Sequence, residues 1–152
     1  MVSQKQYDRV QSYIRLGMAE SARILTGGEG RPEGLSRGWF VRPTIFTGVT
    51  NEMRIAREEI FGPVLVVIPY RTDEEAIRLA NDTSYGLHAY VHGADVDRAK
   101  RIAKGLEAGR VAINGAPHEP LAPFGGFKQS GIGREFGVYG LEAHLEPRAI
   151  MV

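Results

Sequence analysis

A carboxylate and an aromatic ring stand two residues apart in the run Glu-Glu-Ile-Phe-Gly-Pro-Val at residues 58–64. Pro63 restricts the backbone that leads into the following apolar segment, and Gly62 permits an unusual turn beside it. Glu59 and Phe61 are therefore expected to project from a loop at the start of a strand, where they could bind a ribose diol and press on a flat ring. The alternative is an ordinary turn with a solvated pair of glutamates and with Phe61 in the core.

A second unusual stretch, Pro-Phe-Gly-Gly-Phe-Lys-Gln-Ser-Gly at residues 123–131, places two glycines between two phenylalanines. This composition predicts a tight loop in which one backbone segment approaches another closely. Lys128 could reach a phosphate, although a solvated lysine is the simpler interpretation. Residues 131–137 are similar to a dinucleotide fingerprint, but the third glycine comes one residue late and the segment follows a loop. We therefore predict no phosphate cradle there.

The remaining polar residues predict no metal site and no serine nucleophile. His88 and His92 fall on a predicted strand without a third ligand, and no serine occupies a Gly-x-Ser-x-Gly elbow. His118 lies in a loop beside Glu119, where it either faces a substrate or is merely exposed. The 152 residues include no cysteine, which excludes disulfides, thiolate zinc sites and thiol nucleophiles from within this chain.

The composition indicates a folded domain. Hydrophobic residues make up 43% and charged residues 24%, which is enough apolar material for a buried core. The net charge is +1, with lysines and arginines scattered among acids, which argues against a nucleic-acid surface. No apolar run approaches the ~20 residues that a membrane span needs, and the first residues do not resemble a secretory leader, so a cytoplasmic protein is expected.

Hydrophobic periodicity and capping residues predict alternating strands and helices. Helices are predicted over residues 4–20, from Thr72 onwards, from Asp95 to Gly109, and over residues 134–144. Strands are predicted over residues 23–26, 39–49, 64–68, 87–91 and 110–113. This order predicts an α/β fold with βαβ units on a largely parallel sheet.

Three of these elements carry more specific expectations. Pro43 makes the segment 39–49 an edge strand or an irregular extended stretch. The unbroken apolar run 64–68 is typical of a strand that is buried on both faces. In the helix after Thr72, the side chains of Ala76, Leu79 and Ala80 are expected to point towards the core.

Two features of the sequence indicate surfaces that bind another chain. The opening helix has no strand before it to pack against. Residues 148–152 form an apolar strand at a terminus, an edge that is open to pairing with another chain.

Six segments, taken together, resemble the aldehyde dehydrogenase superfamily in order and spacing, over nearly the whole chain: residues 38–46, 58–64, 80–87, 109–115, 123–131 and 133–135. The resemblance implies an α/β fold that is part of an aldehyde dehydrogenase catalytic domain, a largely parallel open sheet with flanking helices. In this interpretation residues 1–145 are the C-terminal part of that catalytic domain. Residues 146–152 are the C-terminal oligomerisation strand.

The resemblance also implies roles for particular residues. Glu59 matches the glutamate that binds the nicotinamide ribose hydroxyls, and Phe61 matches the aromatic residue that packs near the nicotinamide. Residues 114–121 match the variable loop that shapes the aldehyde entrance, and an aromatic residue lies at the base of that tunnel. The expected substrate-binding residues are accordingly His118, Leu121 and Phe124.

The family features that this chain lacks are equally informative. The nucleophilic cysteine, the glutamate that serves as general base, and the domain that grips adenine and pyrophosphate all lie upstream of the matched part. The family converts an aldehyde, NAD(P)+ and water to a carboxylic acid and NAD(P)H, and a thiolate must first add to the carbonyl. We therefore expect a C-terminal fragment of an NAD(P)-dependent aldehyde dehydrogenase, which alone is inactive and does not bind NAD or NADP.

The expected partners follow from the same resemblance. The chain should form a homo-oligomer through its C-terminal strand or complement an N-terminal aldehyde dehydrogenase portion, with no nucleic acid and no membrane involved. The alternative function is a non-catalytic module for self-association or assembly through exposed sheet edges. A self-sufficient hydrolase or nucleotide binder is disfavoured, because no motif supplies its site.

Overall fold

The computed structural model describes all 152 residues, which divide into a first unit, Met1–Tyr70, and a second unit, Arg71–Val152. The first unit contains helices α1 (Gln4–Ala19) and α2 (Arg54–Arg57) and strands β1 (Arg23–Thr26), β2 (Thr44–Thr47) and β3 (Val64–Val66). The second unit contains helices α3 (Asp73–Asn81), α4 (Val96–Gly105) and α5 (Gly137–Glu142), strands β4 (His88–Val91) and β5 (Arg110–Ile113), and a 3₁₀ turn at Lys128–Ser130.

Helix α1 begins at a side-chain cap and buries one face against its own unit. The Ser3 hydroxyl accepts a hydrogen bond from the backbone N–H of Gln6 at 3.2 Å, which satisfies one unpaired donor of the first turn. Val10 is fully buried, and a Cβ added to Gly17 would lie 2.9 Å from the ring of Phe46 on β2. The predicted helix is confirmed. It packs on the sheet that follows it, so the missing preceding strand does not leave this face uncovered, and binding of another chain to this helix stays a prediction.

Strand β2 is the central strand of the first unit, in the order β1-β2-β3. It pairs antiparallel with β1 and parallel with β3, so the prediction of an edge strand is wrong for these four residues, whereas residues 39–43 and 48–49 are irregular, as the alternative predicted. Pro43 immediately precedes the first paired residue, Thr44, and its missing N–H therefore removes no hydrogen bond from the ladder.

Strand β3 is an outer strand of this sheet, and one of its faces is exposed. Leu65 is 58% exposed, whereas Val64 and Val66 pack against the core. The prediction of a strand buried on both faces over residues 64–68 is therefore wrong. A continuous apolar run does not reveal which of its faces another element covers, and here the core lies on only one side.

The core of the first unit joins α1, the sheet and the segment after α2. Its buried residues are Val10, Tyr13, Ile14, Ala22, Val41, Phe46, Val49, Ile55 and Ile60. Because Ile55 lies on α2 and Ile60 lies in the loop beyond it, the core holds the chain on both sides of Glu59.

The second unit contains the predicted βαβ arrangement. Strands β4 and β5 pair in parallel, with His88 opposite Arg110 and Val91 opposite Ile113, and α4 connects them along the chain. Two of the three strand pairings in the molecule are parallel, as expected. The strands nevertheless fall into two sheets, one in each unit.

Helix α3 begins where it was predicted to begin but presents a different face. The Thr72 hydroxyl accepts a hydrogen bond from the N–H of Glu75 at 3.2 Å. Ala76 and Leu79 are partly buried, but Ala80 is exposed, which corrects the predicted inward face. The side chain of Ile77 lies on the inner side instead, against Gly105 of α4.

The last helices are shorter than the sequence predicts. Helix α4 ends at Gly105 and not at Gly109, and α5 covers only part of residues 134–144. Residues 146–152 lie outside every helix and strand, so pairing of residues 148–152 with another chain stays a prediction. No helix is both long and apolar enough to cross a membrane.

Candidate functional site

The loop between α2 and β3 presents Glu59 and Phe61 to solvent. The Glu59 side chain is exposed and pairs with no other side chain. Phe61 is 70% exposed and has a backbone φ of +59°. The alternative that placed Phe61 in the core is therefore wrong. A bulky residue in the left-handed region is strained, and such a conformation persists only where the surroundings hold it.

The neighbouring glutamate has the opposite environment. The Glu58 carboxylate accepts hydrogen bonds from Nε of Arg54 at 2.8 Å and from the hydroxyl of Tyr13 at 2.6 Å. These bonds, first that of Arg54, lower the pKa of Glu58 from its usual 4.5 to about 2. The same carboxylate raises the pKa of the Tyr13 hydroxyl above its usual 10.0, because it binds the protonated form. Glu58 and Glu59 are therefore not a solvated pair.

Helix α1 also holds the backbone of this loop. Arg9 donates to the carbonyl oxygen of Glu59 at 2.7 Å, and Nε2 of Gln6 donates to the carbonyl oxygen of Phe61 at 2.6 Å. Gly62 lies directly against the helix, because a Cβ placed there would come within 2.5 Å of a methyl carbon of Val10. The loop therefore has backbone and side-chain anchors to α1 on both sides of the exposed pair.

A cleft of about 320 Å³ opens beside the loop, with walls that include Glu59, Ile60, Phe61 and Leu65. Its chemistry fits a ribose that is joined to a flat ring. A carboxylate without an internal partner can accept hydrogen bonds from two vicinal hydroxyls. An exposed aromatic face can pack against a planar heterocycle. The residues present thus fit the nicotinamide riboside end of a dinucleotide.

The second unit gathers aromatic side chains around Phe136. The ring of His118 lies edge-on to Phe136 at 5.4 Å between centroids, and the ring of Phe124 lies 6.1 Å from Phe136. Arg110 donates to Nδ1 of His118 at 2.6 Å. An arginine cannot accept a hydrogen bond, so this contact requires Nδ1 to be the acceptor and directs the ring proton to Nε2.

Leu121 belongs to the same loop, and 81% of its surface is exposed. The loop is held near α5 by a hydrogen bond from the N–H of Gly137 to the carbonyl oxygen of Pro120 at 3.3 Å. The structure therefore brings His118 and Phe124 together around Phe136 and leaves the Leu121 side chain in solvent. No three His, Asp or Glu side chains of the chain come together as a metal-binding group.

The sequence profile of the aldehyde dehydrogenase family matches residues 1–150. The chain belongs to this family. A family relative from Staphylococcus saprophyticus is 55% identical over 150 residues, which make up 99% of this chain and 32% of the relative.

Solved structures of aldehyde dehydrogenases are similar in fold to this chain. A mutant of aldehyde dehydrogenase C from Pseudomonas syringae, in complex with NAD+ and octanal, matches with a TM-score of 0.92 and 49% identity. That match covers 96% of this chain and 30% of the other. The aldehyde dehydrogenase of Mycobacterium tuberculosis in complex with NAD+ matches with a TM-score of 0.90 and 47% identity, over 100% of this chain and 32% of that one. The chain spans about a third of the length of these relatives.

Close backbone approaches and one side-chain hydroxyl build the glycine-rich loop of this chain. Gly86 donates its N–H to Oγ of Ser130 at 3.0 Å and accepts at its carbonyl oxygen from the N–H of Phe127 at 2.8 Å. Gly109 lies so close to Gly125 that an added Cβ would overlap the carbonyl oxygen of Gly125. The predicted close approach of backbone to backbone is confirmed.

The side chain of Lys128 makes polar contacts within the second unit. Its ammonium group donates to the carbonyl oxygen of Asn81 at 2.6 Å and pairs with Glu107 at 2.7 Å, and the side chain is only 25% exposed. Lys128 is therefore a surface lysine, as predicted, but its ammonium group is paired and not in contact with water alone. The same geometry leaves it committed to contacts within the second unit.

Sequence reasoning missed several residues that shape the two loops, namely Gln6, Arg9, Tyr13, Arg54 and Phe136. Gln6, Arg9 and Arg54 are polar positions on helices that no sequence signal distinguishes from an ordinary solvated face, and the buried Tyr13 has no sequence signal that its hydroxyl binds this loop. Phe136 has a φ of +65° immediately before α5. A positive φ at a phenylalanine has no signature in sequence.

Proposed function

We propose that this chain is the C-terminal part of an NAD(P)-dependent aldehyde dehydrogenase. In this proposal it supplies contacts to the nicotinamide half of the cofactor and to the aldehyde. Its membership of the family supports this function, as do the NAD+ complexes of similar structures. The single observation that carries the proposal is the unpaired, outward Glu59 carboxylate beside the exposed ring of Phe61.

At the cofactor end, Glu59 accepts hydrogen bonds from both ribose hydroxyls, and Phe61 restricts where the nicotinamide ring can lie. Charge-assisted hydrogen bonds of this kind are stronger than neutral ones and fix orientation. When bound, NAD(P)+ accepts the hydride that leaves the substrate. The residues of this chain orient the cofactor.

At the substrate end, His118, Leu121 and Phe124 line the approach of the aldehyde. The rings of Phe124 and Phe136 form an apolar wall, which suits a hydrophobic substrate tail. The hydrogen bond from Arg110 fixes the His118 ring and leaves Nε2 as a donor for a carbonyl oxygen.

We further propose that the isolated chain does not oxidise aldehydes. It contains no cysteine, so it cannot supply the thiolate that makes an aldehyde carbon tetrahedral before hydride leaves. Nor do Glu59 and Phe61 provide contacts for the phosphates or the adenine of a dinucleotide. Tight binding of NAD or NADP by this chain alone is therefore not expected.

The test is a reconstitution followed by the absorbance of the reduced nicotinamide. The pure chain with octanal and NAD+ or NADP+ should give no reduction. The same chain, expressed with the upstream two-thirds of the Staphylococcus saprophyticus relative, should give aldehyde-dependent reduction. In that assembly, Glu59→Gln should raise the KM for the cofactor, whereas the matched control Glu33→Gln, at an exposed loop carboxylate of the same unit, should not. Turnover by the pure chain, or an unchanged KM in Glu59→Gln, contradicts the proposal.

A second candidate function, self-association, has one observation in its favour. The terminal side chains Ile150 and Met151 are 78% and 90% exposed and lie outside every helix and strand. Such apolar residues can pair with another copy of the chain. Light scattering decides this cheaply, because a dilute, well-behaved monomer removes the motive for an assembly module.

A further inference from the structure

Two adjacent glutamates in the loop after α2 have contrasting surroundings. The Glu58 carboxylate accepts three hydrogen bonds, two from Arg54 at 2.8 and 3.2 Å and one from Tyr13 at 2.6 Å. The Glu59 carboxylate accepts none. Only the Glu59 carboxylate is therefore available for a ligand. The role of Glu58 must lie in the groups that its carboxylate binds, Tyr13 and Arg54.

We propose that Glu58 is a positioning residue, which together with Tyr13 and Arg54 turns the Glu59 carboxylate outward and holds the loop in its ligand-facing form. The proposal rests on the function proposed for Glu59 and Phe61. It assigns Glu58 no contact with cofactor or substrate.

Backbone geometry is the first support. Glu58 is extended, with φ −99° and ψ 141°. Successive side chains of an extended backbone point to opposite sides. Fixing the Glu58 side chain against α1 and α2 therefore directs the Glu59 side chain away from them.

The rigidity of the partners is the second support. Tyr13 lies on the buried face of α1 and is 8% exposed. Arg54 opens α2, and the carboxylate of Glu20 caps that helix by accepting from the N–H groups of Arg54 and Ile55 at 2.9 and 3.3 Å. Glu58 thus binds groups on two elements that are themselves fixed.

The strained backbone beyond Glu59 is the third support. Phe61 has a φ of +59°, a strained conformation for a bulky residue that persists only where the surroundings hold it. The bonds from Arg9 to the Glu59 carbonyl and from Gln6 to the Phe61 carbonyl hold the loop from one side. Glu58 adds bonds to Tyr13 on the same helix and to Arg54 on α2, so loss of Glu58 should release the loop without unfolding the unit.

The test compares amide hydrogen exchange by NMR in the 152-residue chain at neutral pH, for Glu58→Gln, Tyr13→Phe, Glu59→Gln and the control Glu33→Gln. We expect Glu58→Gln to speed exchange roughly fivefold to tenfold at Thr44 and Val64, whose N–H groups donate to the loop carbonyl oxygens of Pro63 and Gly62 at 2.9 and 2.8 Å, and Tyr13→Phe to do so by less. Glu59→Gln and Glu33→Gln should leave it unchanged. Equal exchange in Glu58→Gln and wild type overturns the proposal, and so does an equal increase in Glu59→Gln.

A ligand titration separates positioning from general stability. Millimolar nicotinamide mononucleotide should shift the Phe61 resonances of the wild-type chain, lose this effect in Glu59→Gln and bind severalfold more weakly to Glu58→Gln. If the wild type does not respond, the function proposed for Glu59 fails in this chain, while the exchange comparison still decides the role of Glu58. Should Glu58→Gln unfold the unit, as seen by Trp39 fluorescence, Tyr13→Phe provides the decision, because it removes a single hydroxyl.

Discussion

The loop that carries Glu59 and the loop that carries Phe124 are held in place by different kinds of contact. In the first unit, side chains of helices reach the loop backbone, as with Gln6 and the carbonyl oxygen of Phe61, and an apolar core lies beneath. In the second unit, backbone meets backbone at positions where no side chain fits, such as Gly109 and Gly125. The loop of the first unit depends on hydrogen bonds and buried surface that particular side chains supply. The loop of the second unit depends on glycines, which have no side chain.

This difference has a consequence for mutational sensitivity. Removing atoms should damage the first unit most, because its loop rests on a packed core and on donors. Adding atoms should damage the second unit most, because its loop leaves no space. Three substitutions test this comparison, in order of decreasing effect.

The largest effect is expected for Phe46→Ala in the first unit. Phe46 is fully buried beneath α1, and truncating a buried phenylalanine typically costs about 3–5 kcal/mol of unfolding free energy. Urea unfolding followed by Trp39 fluorescence measures the loss. The matched control is Leu25→Ala on β1, where the side chain is 67% exposed and the cost should stay below about 1 kcal/mol. Similar losses in the two variants would show that the packed core does not support this unit.

A smaller but clear effect is expected for Gly109→Ala in the second unit. The new Cβ overlaps the carbonyl oxygen of Gly125, and overpacking that displaces backbone costs roughly 1–3 kcal/mol or more. Amide exchange at Phe124 and Glu135, which exchange two backbone hydrogen bonds at 2.8 and 2.7 Å, should accelerate. Gly93→Ala is the control, because an added Cβ there meets nothing within 4 Å. If both variants keep slow exchange, the close approach does not support the loop.

The smallest effect concerns pH and the Glu58 carboxylate. Because the pKa of Glu58 is lowered in the folded state from 4.5 to about 2, its contribution to stability is complete above the unfolded value. The contribution is lost as the pH falls through the folded one. Glu58→Gln should therefore flatten part of the decline in unfolding free energy across that window, as measured by urea unfolding at successive pH values. A decline as steep as that of the wild type would mean that the Arg54 and Tyr13 bonds do not persist in solution.

The hydroxyl of Tyr13 offers an independent check at alkaline pH. Its pKa is raised by the hydrogen bond to Glu58, so its ionisation in Glu58→Gln should move towards the ordinary value. Ultraviolet absorbance of the phenolate follows this change, and Tyr13→Phe identifies which transition belongs to Tyr13.

Local signals in the sequence were sufficient for much of the fold. Ser3 and Thr72 cap helices in the structure, and strands β1, β4 and β5 lie where alternation and β-branched residues predicted them. Caps and short strands of this kind depend on residues within a few positions of each other. The resemblance to aldehyde dehydrogenases also indicated Glu59 and Phe61 as a pair, and both are exposed on one loop.

The same local signals did not predict which strands pair with one another in the sheet. Pro43 indicated an edge strand, yet β2 is central, because the proline falls one residue before the ladder. The run 64–68 indicated burial on both faces, yet β3 is an outer strand with Leu65 exposed. The residue types of an apolar or proline-containing segment do not specify which elements lie on either side of it.

The sequence by itself determined which chemistry this chain can offer: a carboxylate and an aromatic ring on a loop, and no thiol. Only the tertiary structure decided that Glu58 faces inward to Tyr13 and Arg54 while Glu59 remains unpaired, and that Lys128 is committed to Glu107 and Asn81. The physical reason is that residue type sets which hydrogen bonds a group can donate or accept. Whether the group finds a partner depends on residues that are distant in the chain. For Glu58 those residues include a tyrosine 45 positions away.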